Sequence, residues 1–581
     1  MLELQQLLRD YRSAERSERV VRVFDDVRFR RGQYDDGAVL KFRGIVRDVL
    51  DPEFVLLAEG DESGDVVASN DEMEHKYVER VPLKVALVPH VTDWAKKRYH
   101  DAPGVEKSEV PMDQAVQTPS KGVKRSNDAM EEVVEEAVDV AMEDASTKKA
   151  KAGESTTADE AIDSPFDEQV VSMYVYDGQY PSIAMDAFKV NESFEFIGIL
   201  DMMVLGSGGH ASRDDTALTE QAIEEWTISE CFEDMHRKQQ ASVVFHCADA
   251  VKLDGLHMVQ PHQSAEKYAQ TLTSNVSRTQ FLASELSSRG QSTEIPVVRA
   301  ALISHLARAL GGDDVAAEYL LLCLLSRVYA RPDPSTALGH LSVNLSAGKA
   351  MELPVVNGIV ERLTSVLQEI VPMLATVDMS IKSLTESKFA PHKDYDQDVL
   401  RGGVLQFAHG TTVLANETAL STGNLNEQGV KNMGALQSLV EKMLLPYDFQ
   451  YYSMDFPQDV AVISVSQGKS ILPVHVTVSL AVTTTDTTAP TDALLECFRL
   501  YLAVLRTFTV NIGNEQAELA EKHYVACRKA KQEVSVDDLH RWLRLVRLIA
   551  LSHGEDEVST TSWDAMLALE GKRIDRIDAI E

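Results

Sequence analysis

The sequence predicts a mixed α/β chain, in which an interrupted β-barrel is followed by an α/β core and then by a helical bundle. Short runs rich in β-branched and aromatic residues lie on both sides of residues 101–165. Strand-like and helix-like runs then alternate over residues 340–473, as in a sheet that is covered by helices. Consecutive amphipathic helical patterns fill residues 486–581.

These patterns divide the chain into consecutive segments. They are an N-terminal helical segment at residues 1–35, the first part of an OB-like β region at 36–100, a disordered acidic linker at 101–165, the second part of the OB-like region at 166–265, the α/β core at 275–485 and the helical lid at 486–581. We expect the two β regions to form one barrel; two separate small β modules are the alternative. The run Phe188–Leu200 predicts a curved barrel strand with a kink at Gly198.

Within the core we expect helices and strands to be punctuated by specific residues. Gly311 and Gly312 end one predicted helix, and Asp313 can cap the next. Strands are expected at residues 377–384, and two more within residues 404–414.

Size and charge exclude several classes of protein. A chain of 581 residues is too long for a single core. It contains no run of about 18 apolar residues, so no transmembrane helix is expected. The net charge of −34 repels nucleic acid phosphates, which disfavours direct nucleic acid binding and favours a basic partner. The 5 cysteines are scattered, which argues against a zinc ribbon or a disulfide framework.

The acidic linker carries two basic clusters. Its near absence of aromatic residues leaves too little apolar area to offset chain entropy, so we expect it to be disordered. The basic residues are candidate nuclear-import signals, although a solvated run of charge is the other interpretation. They are Lys121, Lys124 and Arg125 in the first cluster and Lys148, Lys149 and Lys151 in the second.

The stretch Leu400–Thr418 contains the most informative motif. An apolar strand, Thr412–Ala415, is followed by Asn416 and Glu417, where a P-loop ATPase has Asp-Glu to hold Mg²⁺ and orient water. Asn is neutral and is a poor ligand for a hard divalent cation. The spacing of the stretch resembles the Walker B region of replicative MCM helicase subunits. An ordinary buried hairpin with a turn at His409-Gly410 is the alternative.

A degenerate Walker A-like loop precedes this strand. A working loop has the pattern G-x-x-x-x-G-K-[ST], whose backbone N–H groups wrap the phosphates while Lys neutralises charge. Gly348 and Lys349 match the pattern, but Val343 occupies the first glycine position and Ala350 the Ser/Thr position.

The rest of the core supplies neither a second P-loop in the right order nor an arginine finger. Gly468-Lys469-Ser470 lies after the Walker B-like strand, in the wrong order for a P-loop. No arginine occurs from Ser470 to Leu494, where a finger for a neighbouring ATP is expected. These losses together predict a core without catalytic residues, metal or cofactor.

Other loops offer weaker candidates. Asp51 and Pro52 form a turn that presents Phe54 as a candidate partner-binding residue, and a core position for Phe54 is the alternative. His392 and Asp394 are candidates for a metal-binding or acid–base role, and a purely structural loop is the alternative.

Several long phrases together resemble the eukaryotic MCM-binding protein family along almost the whole chain outside the linker. They are KFRGIVRDVLDPEF, the exit Ser164-Pro165-Phe166, FKVNESFEFIGIL, DDVAAEYLLLCLLSRVYARPD, LSVNLS, KFAPHKDYD, VLANETAL and SVSQGKSILP. The resemblance implies a nuclear, non-catalytic factor that binds MCM helicase subunits and controls their assembly, supply or unloading in DNA replication, with a role in sister chromatid cohesion. It also suits a degenerate AAA+-like, MCM-like core.

Two other classes remain open at this point. One is an AAA+ ATPase remodelling factor that uses a non-standard nucleotide site. The other is single-stranded DNA binding through the OB-like barrel, for which Arg43 and Arg47 are the candidate basic residues.

Overall fold

The fold is described from a computed structural model. The described residues are 21–24, 34–57, 76–100, 170–176, 187–201, 243–261, 265–395, 399–420, 422–482, 489–530 and 534–578. The predicted acidic linker and both of its basic clusters lie outside these residues.

The N-terminal part contains a closed five-stranded barrel. The barrel strands are β2 (Val39–Val49), β4 (Lys76–Leu87), β5 (Val170–Tyr176), β6 (Ser193–Asp201) and β7 (Val244–Lys252). Two further strands, β1 (Arg22–Val23) and β3 (Glu53–Leu57), pair with β2 and β4 outside the ring. The ring runs β2-β6-β7-β5-β4 and closes where β4 pairs with β2. Only the β5–β7 pair is parallel within the ring.

The interior of the barrel is filled by aromatic side chains. Phe42, Phe194, Phe196 and Phe245 are fully buried, and alternation along each strand directs them inward. The β6–β7 register shifts between Ile197 and Gly198, which confirms the predicted kink. Since β5 comes from the second β region and pairs with β4 from the first, the expectation of a single barrel is confirmed.

The N-terminal helical prediction is wrong for the residues that can be described. Arg22–Val23 form a strand that pairs in parallel with β2. Phe24 follows it and packs on Tyr34, Phe42 and Phe245. Within residues 21–24, Phe24 is therefore a residue of the barrel core.

The core is built on a five-stranded parallel sheet. Its strands are β10 (Val343–Ser346), β11 (Leu374–Asp378), β14 (Thr412–Asn416), β17 (Ala461–Ser466) and β18 (Val476–Ser479). Their order across the sheet is β11-β14-β17-β10-β18. Alternate residues face two separate apolar clusters, with Leu414 and Ile463 in one and Val413 and Val462 in the other. The sheet is thus covered on both faces, as parallel sheets require.

Helices surround the sheet and extend beyond it. They are α1 (Asp93–His100), α2 (Gly255–Val259), α3 (Ala265–Leu272), α4 (Asn275–Ser288), α5 (Ile295–Ala309), α6 (Asp314–Leu325), α7 (Leu353–Ile370), α8 (Ile381–Glu386), α9 (Glu427–Lys442), α10 (Asp492–Leu505), α11 (Asn514–Lys529), α12 (Val536–Ser552) and α13 (Thr560–Asp578). The predicted cap is confirmed, because the Asp313 side chain accepts from the backbone N–H of Ala316 at the start of α6. Gly311 and Gly312 both have positive φ, as the end of α5 requires.

The remaining strands form a second, smaller sheet and a short ladder. These strands are β8 (Ala330–Asp333), β9 (Thr336–Leu338), β12 (His392–Asp394), β13 (Val399–Arg401), β15 (Leu444–Asp448) and β16 (Ser453–Pro457). The smaller sheet has the order β13-β12-β15-β16, and β8 pairs with β9.

Two strand predictions are wrong. The strand expected at residues 377–384 stops at Asp378, because Ser380 caps α8 by accepting from the backbone N–H of Ser383. Residues 404–408 are not a strand, since the N–H of Leu405 donates to the Phe389 carbonyl and that of Gln406 to Gly403. The hairpin alternative is also wrong, because both neighbours of β14 are parallel to it.

A buried carboxylate joins a helix of the core to two C-terminal helices. Glu570 on α13 accepts from Arg573 at 2.8 Å and 2.9 Å, from Arg541 on α12 at 3.0 Å, and from the Tyr319 hydroxyl on α6. Its side chain is 3% exposed. Burial raises the pKa of Glu570, but the hydrogen bonds and charges of the two arginines outweigh this effect and hold the pKa below its usual value.

A polar chain joins the barrel to the core. The Arg47 guanidinium donates to the side-chain and backbone oxygens of Gln406. Gln406 Nε2 donates to the Tyr447 hydroxyl at 2.7 Å, and that hydroxyl donates to Asn191 Oδ1 at 2.9 Å. Because Tyr447 and Asn191 are fully buried, these bonds form in a medium where leaving one partner unpaired is costly.

Buried histidines predict a loss of stability in acid. Burial, with a smaller contribution from the nearby Arg308 and Arg544, lowers the pKa of His305 and of His340 to about 4. The unfolded chain therefore binds more protons than the folded one between about pH 4 and 6.5. Stability should be full above pH 6.5 and should fall as the pH drops towards 4.

Urea denaturation at pH 7.5 and at pH 5.0 measures this loss. The midpoint should be lower at pH 5.0, and His340→Phe should reduce the difference between the two midpoints. Equal midpoints for the unaltered chain would contradict the assignment.

Candidate functional site

The carboxyl-terminal edge of the parallel sheet gathers the ATPase-like motifs. β10, β14 and β17 run in the same direction, so the loops that follow them meet at one edge. In open α/β sheets this edge is where ligands bind. The sequence-predicted residues after β10 and at the end of β14 thus lie on the edge that a nucleotide site would use.

The Walker A-like loop does not have the shape of a phosphate cradle. Gly348 has φ +75° and is followed by a turn that contains Lys349 and Ala350. The helix α7 begins only at Leu353, with a proline in its first turn. A phosphate site needs the loop to pass directly into a helix N-terminus with free N–H groups. Val343, at the first glycine position, is fully buried within β10.

The second glycine-lysine segment packs against the first. Ser346 Oγ donates to the Gly468 carbonyl at 3.0 Å, and Gln467 Nε2 donates to the Met351 carbonyl at 2.9 Å. A Cβ built on Gly468 would lie 3.8 Å from Lys349 Cε. Sequence order separated these two segments, whereas the fold brings them together because β10 and β17 are neighbouring strands.

Both residues of the Walker B-like pair are committed to local contacts. Asn416 Oδ1 accepts from the Thr418 backbone N–H at 3.1 Å and from its hydroxyl at 2.6 Å, which caps a short 3-10 helix at Glu417–Ala419. Glu417 is buried, and its carboxylate accepts from the Ser470 hydroxyl and from the Ile471 N–H at 3.0 Å.

The contacts of Glu417, rather than its pKa, oppose a role as a general base, because a raised pKa by itself makes a carboxylate a stronger base. Burial raises the pKa of Glu417, and its hydrogen bonds to Ser470 and Ile471 offset only part of that effect. A base that orients water must reach the water directly. Here the carboxylate fastens the loop after β17 to the end of β14.

The described cavity lies away from this edge. It has a volume of about 220 Å³ and lies between α5 and α10, next to Pro490. His305 lines it and stacks on Phe498 with ring centroids 5.5 Å apart. The His305 nitrogens are buried, so the cavity presents mainly apolar wall.

Other predicted residues have mixed outcomes. Asp51, Pro52 and Phe54 are all exposed, and Phe54 is 72% exposed, so its alternative as a core residue is wrong. His392 and Asp394 lie on β12, where Asp394 pairs with Arg401 at 3.1 Å. This contact favours the structural interpretation of that loop.

The two arginines considered for DNA binding hold the fold together. Arg43 is buried, pairs with Glu195 at 3.2 Å, donates to the His257 carbonyl at 3.1 Å and lies over the Tyr99 ring at 4.1 Å. Arg47 joins the barrel to the core through Gln406. Neither contributes to an open basic groove.

A group of exposed tyrosines is not predicted from the sequence. Tyr395, Tyr451 and Tyr452 gather where β12 ends and where β15 turns into β16. The only sequence signal was the polar-aromatic run Phe449–Tyr452 between two strand-like segments. Periodicity alone could not show that these rings point outward.

The described residues contain neither a metal-binding cluster nor a membrane-spanning helix. Within them, no group of three or more His, Cys, Asp or Glu side chains is placed to hold a metal ion. No helix in the described ranges combines the length and apolar character needed to cross a bilayer.

Comparison with known proteins gives a consistent result. The family model described as mini-chromosome maintenance replisome factor matches residues 29–577. The mini-chromosome maintenance complex-binding protein of Gallus gallus is 33% identical over 410 residues, which cover 68% of this chain and 60% of that protein. The human protein of the same name is 32% identical over 410 residues, with the same 68% and 60% coverage. The Arabidopsis thaliana protein is 27% identical over 572 residues, which cover 93% of this chain and 88% of that protein.

The matched region therefore spans about 60% of the length of the vertebrate relatives and most of the length of the plant relative. The family model covers nearly all of the chain, including the barrel, the parallel sheet and the C-terminal helices. On this evidence, the chain belongs to the mini-chromosome maintenance replisome factor family.

Proposed function

We propose that this chain is a non-catalytic binding protein for MCM helicase subunits and acts in DNA replication. Support comes from the relatives, whose names describe them as binding the mini-chromosome maintenance complex. The structural observation that carries the proposal is the contact of Glu417 with Ser470 and Ile471. The residue that would orient the attacking water in an ATPase here accepts internal hydrogen bonds, which join the loop after β17 to the end of β14.

The core is proposed to be a degenerate AAA+-like, MCM-like module, followed by a helical lid. The parallel sheet supports this proposal, because it places the Walker A-like and Walker B-like strands on either side of β17 with their carboxyl ends at one edge. The missing loop residues and the missing finger arginine agree with loss of the chemistry.

The proposed mechanism follows from that resemblance. The chain pairs with a true MCM subunit through barrel or core faces and, lacking catalytic parts, cannot complete a ring ATPase. It thereby keeps subunits in a non-loaded state and influences their assembly, supply or unloading, with a further role in sister chromatid cohesion. Its proposed location is the nucleus, and imaging of a tagged chain whose two basic linker clusters are replaced by alanine tests that location.

Co-purification with MCM subunits tests the binding proposal. We expect the purified full-length chain to retain MCM subunits at about 0.1 M salt and to lose most of them at about 0.5 M, because charge pairs between the acidic chain and basic faces are screened. Absence of MCM subunits at low salt would overturn the proposal. Equal retention at both salt concentrations would overturn its electrostatic part.

Nucleotide binding separates the proposal from an active AAA+ enzyme. We expect no saturable binding of Mg·ATP at micromolar concentrations, because Lys349 lies in a turn ahead of α7 and Glu417 is occupied. Isothermal titration of the unaltered chain and of Lys349→Ala should give the same result. Micromolar affinity that Lys349→Ala abolishes would establish the enzyme instead.

A further inference from the structure

The hairpin of β15 and β16 ends in a set of exposed aromatic side chains, here called the tyrosine tip (Tyr395, Tyr451 and Tyr452). Their exposed fractions are 46%, 86% and 56%, and the adjacent Met454 is 48% exposed. Single exposed apolar residues are ordinary, but a contiguous set of large ones marks an interaction surface. Tyrosine is also among the residues that dominate the binding energy of protein interfaces.

The tyrosine tip is held in one shape by internal contacts. The Tyr395 hydroxyl donates to the Phe449 carbonyl at 2.9 Å, and the Phe449 N–H donates to the Tyr452 carbonyl at 3.0 Å. The Phe449 and Tyr452 rings stack with centroids 4.9 Å apart. Gln450 has φ +62°, and its N–H donates to Asp448 Oδ1 at 2.8 Å. A surface organised in advance loses little entropy when a partner binds.

The edge of β16 beside the tip offers backbone hydrogen-bonding groups. The Gln458 N–H donates to the Met443 carbonyl, and the Phe449 N–H donates to the Tyr452 carbonyl, so both of these residue pairs are hydrogen-bonded. The two pairs lie just beyond the two ends of the β15–β16 ladder. Antiparallel pairs alternate between bonded and non-bonded residues, so Ser453 and Asp455 are in non-bonded pairs. Their N–H and C=O groups therefore point away from β15. In the described sheet β16 is the terminal strand.

The ionisable side chains around the tip give it acidic character. Asp455 on β16 is exposed, and Asp448 and Glu427 have side-chain exposures of 45% and 87%. The Lys431 amine lies 3.5 Å from Glu427 and 4.0 Å from Asp448 and balances part of this charge. Arg401 on β13 is paired with Asp394 at 3.1 Å, which leaves Asp455 and part of the Glu427 and Asp448 charge unbalanced. The whole chain has a net charge of −34. Both the local charge around the tip and the net charge of the whole chain favour a basic partner.

We propose that this hairpin binds an extended segment of an MCM subunit that carries lysine or arginine side chains. The segment adds as a short strand to the edge at Ser453 and Asp455, as extended peptides do at free sheet edges. Its cationic side chains lie over the Tyr451 and Tyr452 rings and beside Asp455, where cation–π and charge attraction act together. This inference rests on the proposed function and assigns it a surface.

Binding of purified MCM subunits to full-length variants tests the inference. The double variant Tyr451→Ser/Tyr452→Ser should weaken the affinity at least tenfold. The variant Asp455→Asn should weaken it about threefold through charge, and Asp455→Pro should weaken it further because it also removes the outward N–H. Since Asp455 is in a non-bonded pair, the proline leaves the β15–β16 hydrogen bonds in place. Val276→Ser, at a 59% exposed position on α4, is the matched control and should bind within twofold of the unaltered chain.

The outcomes separate the two proposals. If the unaltered chain binds MCM subunits and the tyrosine variant, with an unchanged urea midpoint, binds equally well, the hairpin assignment is overturned while the proposed function stands. If the unaltered chain binds no MCM subunit, both fail. If the tyrosine variant instead turns a self-associating chain into a monomer without changing subunit binding, the occupant is a second copy and the inference is wrong.

Discussion

Replacing Glu570 by alanine is expected to destabilise the protein by about 3–5 kcal/mol, since it breaks a buried ion pair by removing one partner. Two guanidinium groups and the Tyr319 hydroxyl converge on this carboxylate, and Arg573 is itself buried. Without Glu570 the buried Arg573 would lose its carboxylate partner, and Arg541 would keep only its contact with Asp538. The free energy of unfolding from urea titration at pH 7.5 measures the effect.

An exposed pair of the same chemistry is the control for Glu570. Glu518 and Lys522 lie four residues apart on α11 with their charged atoms 3.1 Å apart, and both side chains are largely exposed. Glu518→Ala should cost less than about 0.5 kcal/mol. If Glu570→Ala costs no more than Glu518→Ala, the carboxylate does not hold α6, α12 and α13 together.

Replacing Gly403 by alanine is expected to destabilise the protein by about 3 kcal/mol or more, because overpacking against rigid backbone cannot relax. A Cβ at this position would lie 2.5 Å from the Phe389 carbonyl oxygen, 2.5 Å from the Ala390 carbonyl carbon and 2.7 Å from the Pro391 nitrogen. All three contacts are with main-chain atoms, so no side chain can rotate away. Thermal or urea unfolding, with expression yield as a first indication, measures the loss.

Gly434 provides the same substitution with the opposite expected sign. It lies inside α9, and a Cβ there would have nothing within 4 Å. Gly434→Ala should stabilise the protein by about 0.5–1 kcal/mol, because it restricts the unfolded chain at a helical position. Equal effects at Gly403 and Gly434 would refute the steric argument.

Much of the fold is encoded in local patterns. The barrel could be predicted because its strands alternate inward and outward, and the Gly198 kink stands out within its strand. The Asp313 cap of α6 follows from residue type and position alone. Local patterns failed where a distant contact determines the conformation. The strand at Arg22–Val23 depends on Phe24 packing into the barrel, and residues 404–408 follow the backbone of Phe389.

The candidate site was predicted in parts but not as an arrangement. In the Asn416-Glu417 pair, Asn416 is visible as a departure from a known motif, whereas Glu417 matches it. That Glu417 contacts Ser470 depends on β14 and β17 being neighbours, which a sequence does not state. The tyrosine tip was missed because whether an aromatic residue of a hairpin faces solvent depends on the turn geometry at Gln450.

The order of strands around the barrel has a consequence for how the protein is made. β4 must pair with β5, and β2 with β6, yet residues 88–169 have to be synthesised before β5 exists. At about 5–20 residues per second this takes roughly 4–16 s, during which β2 and β4 leave the ribosome with unpaired edges. The nascent chain is therefore exposed to mispairing early in translation. Slowing synthesis over residues 88–169 should increase the demand for chaperones more than slowing it over residues 489–578.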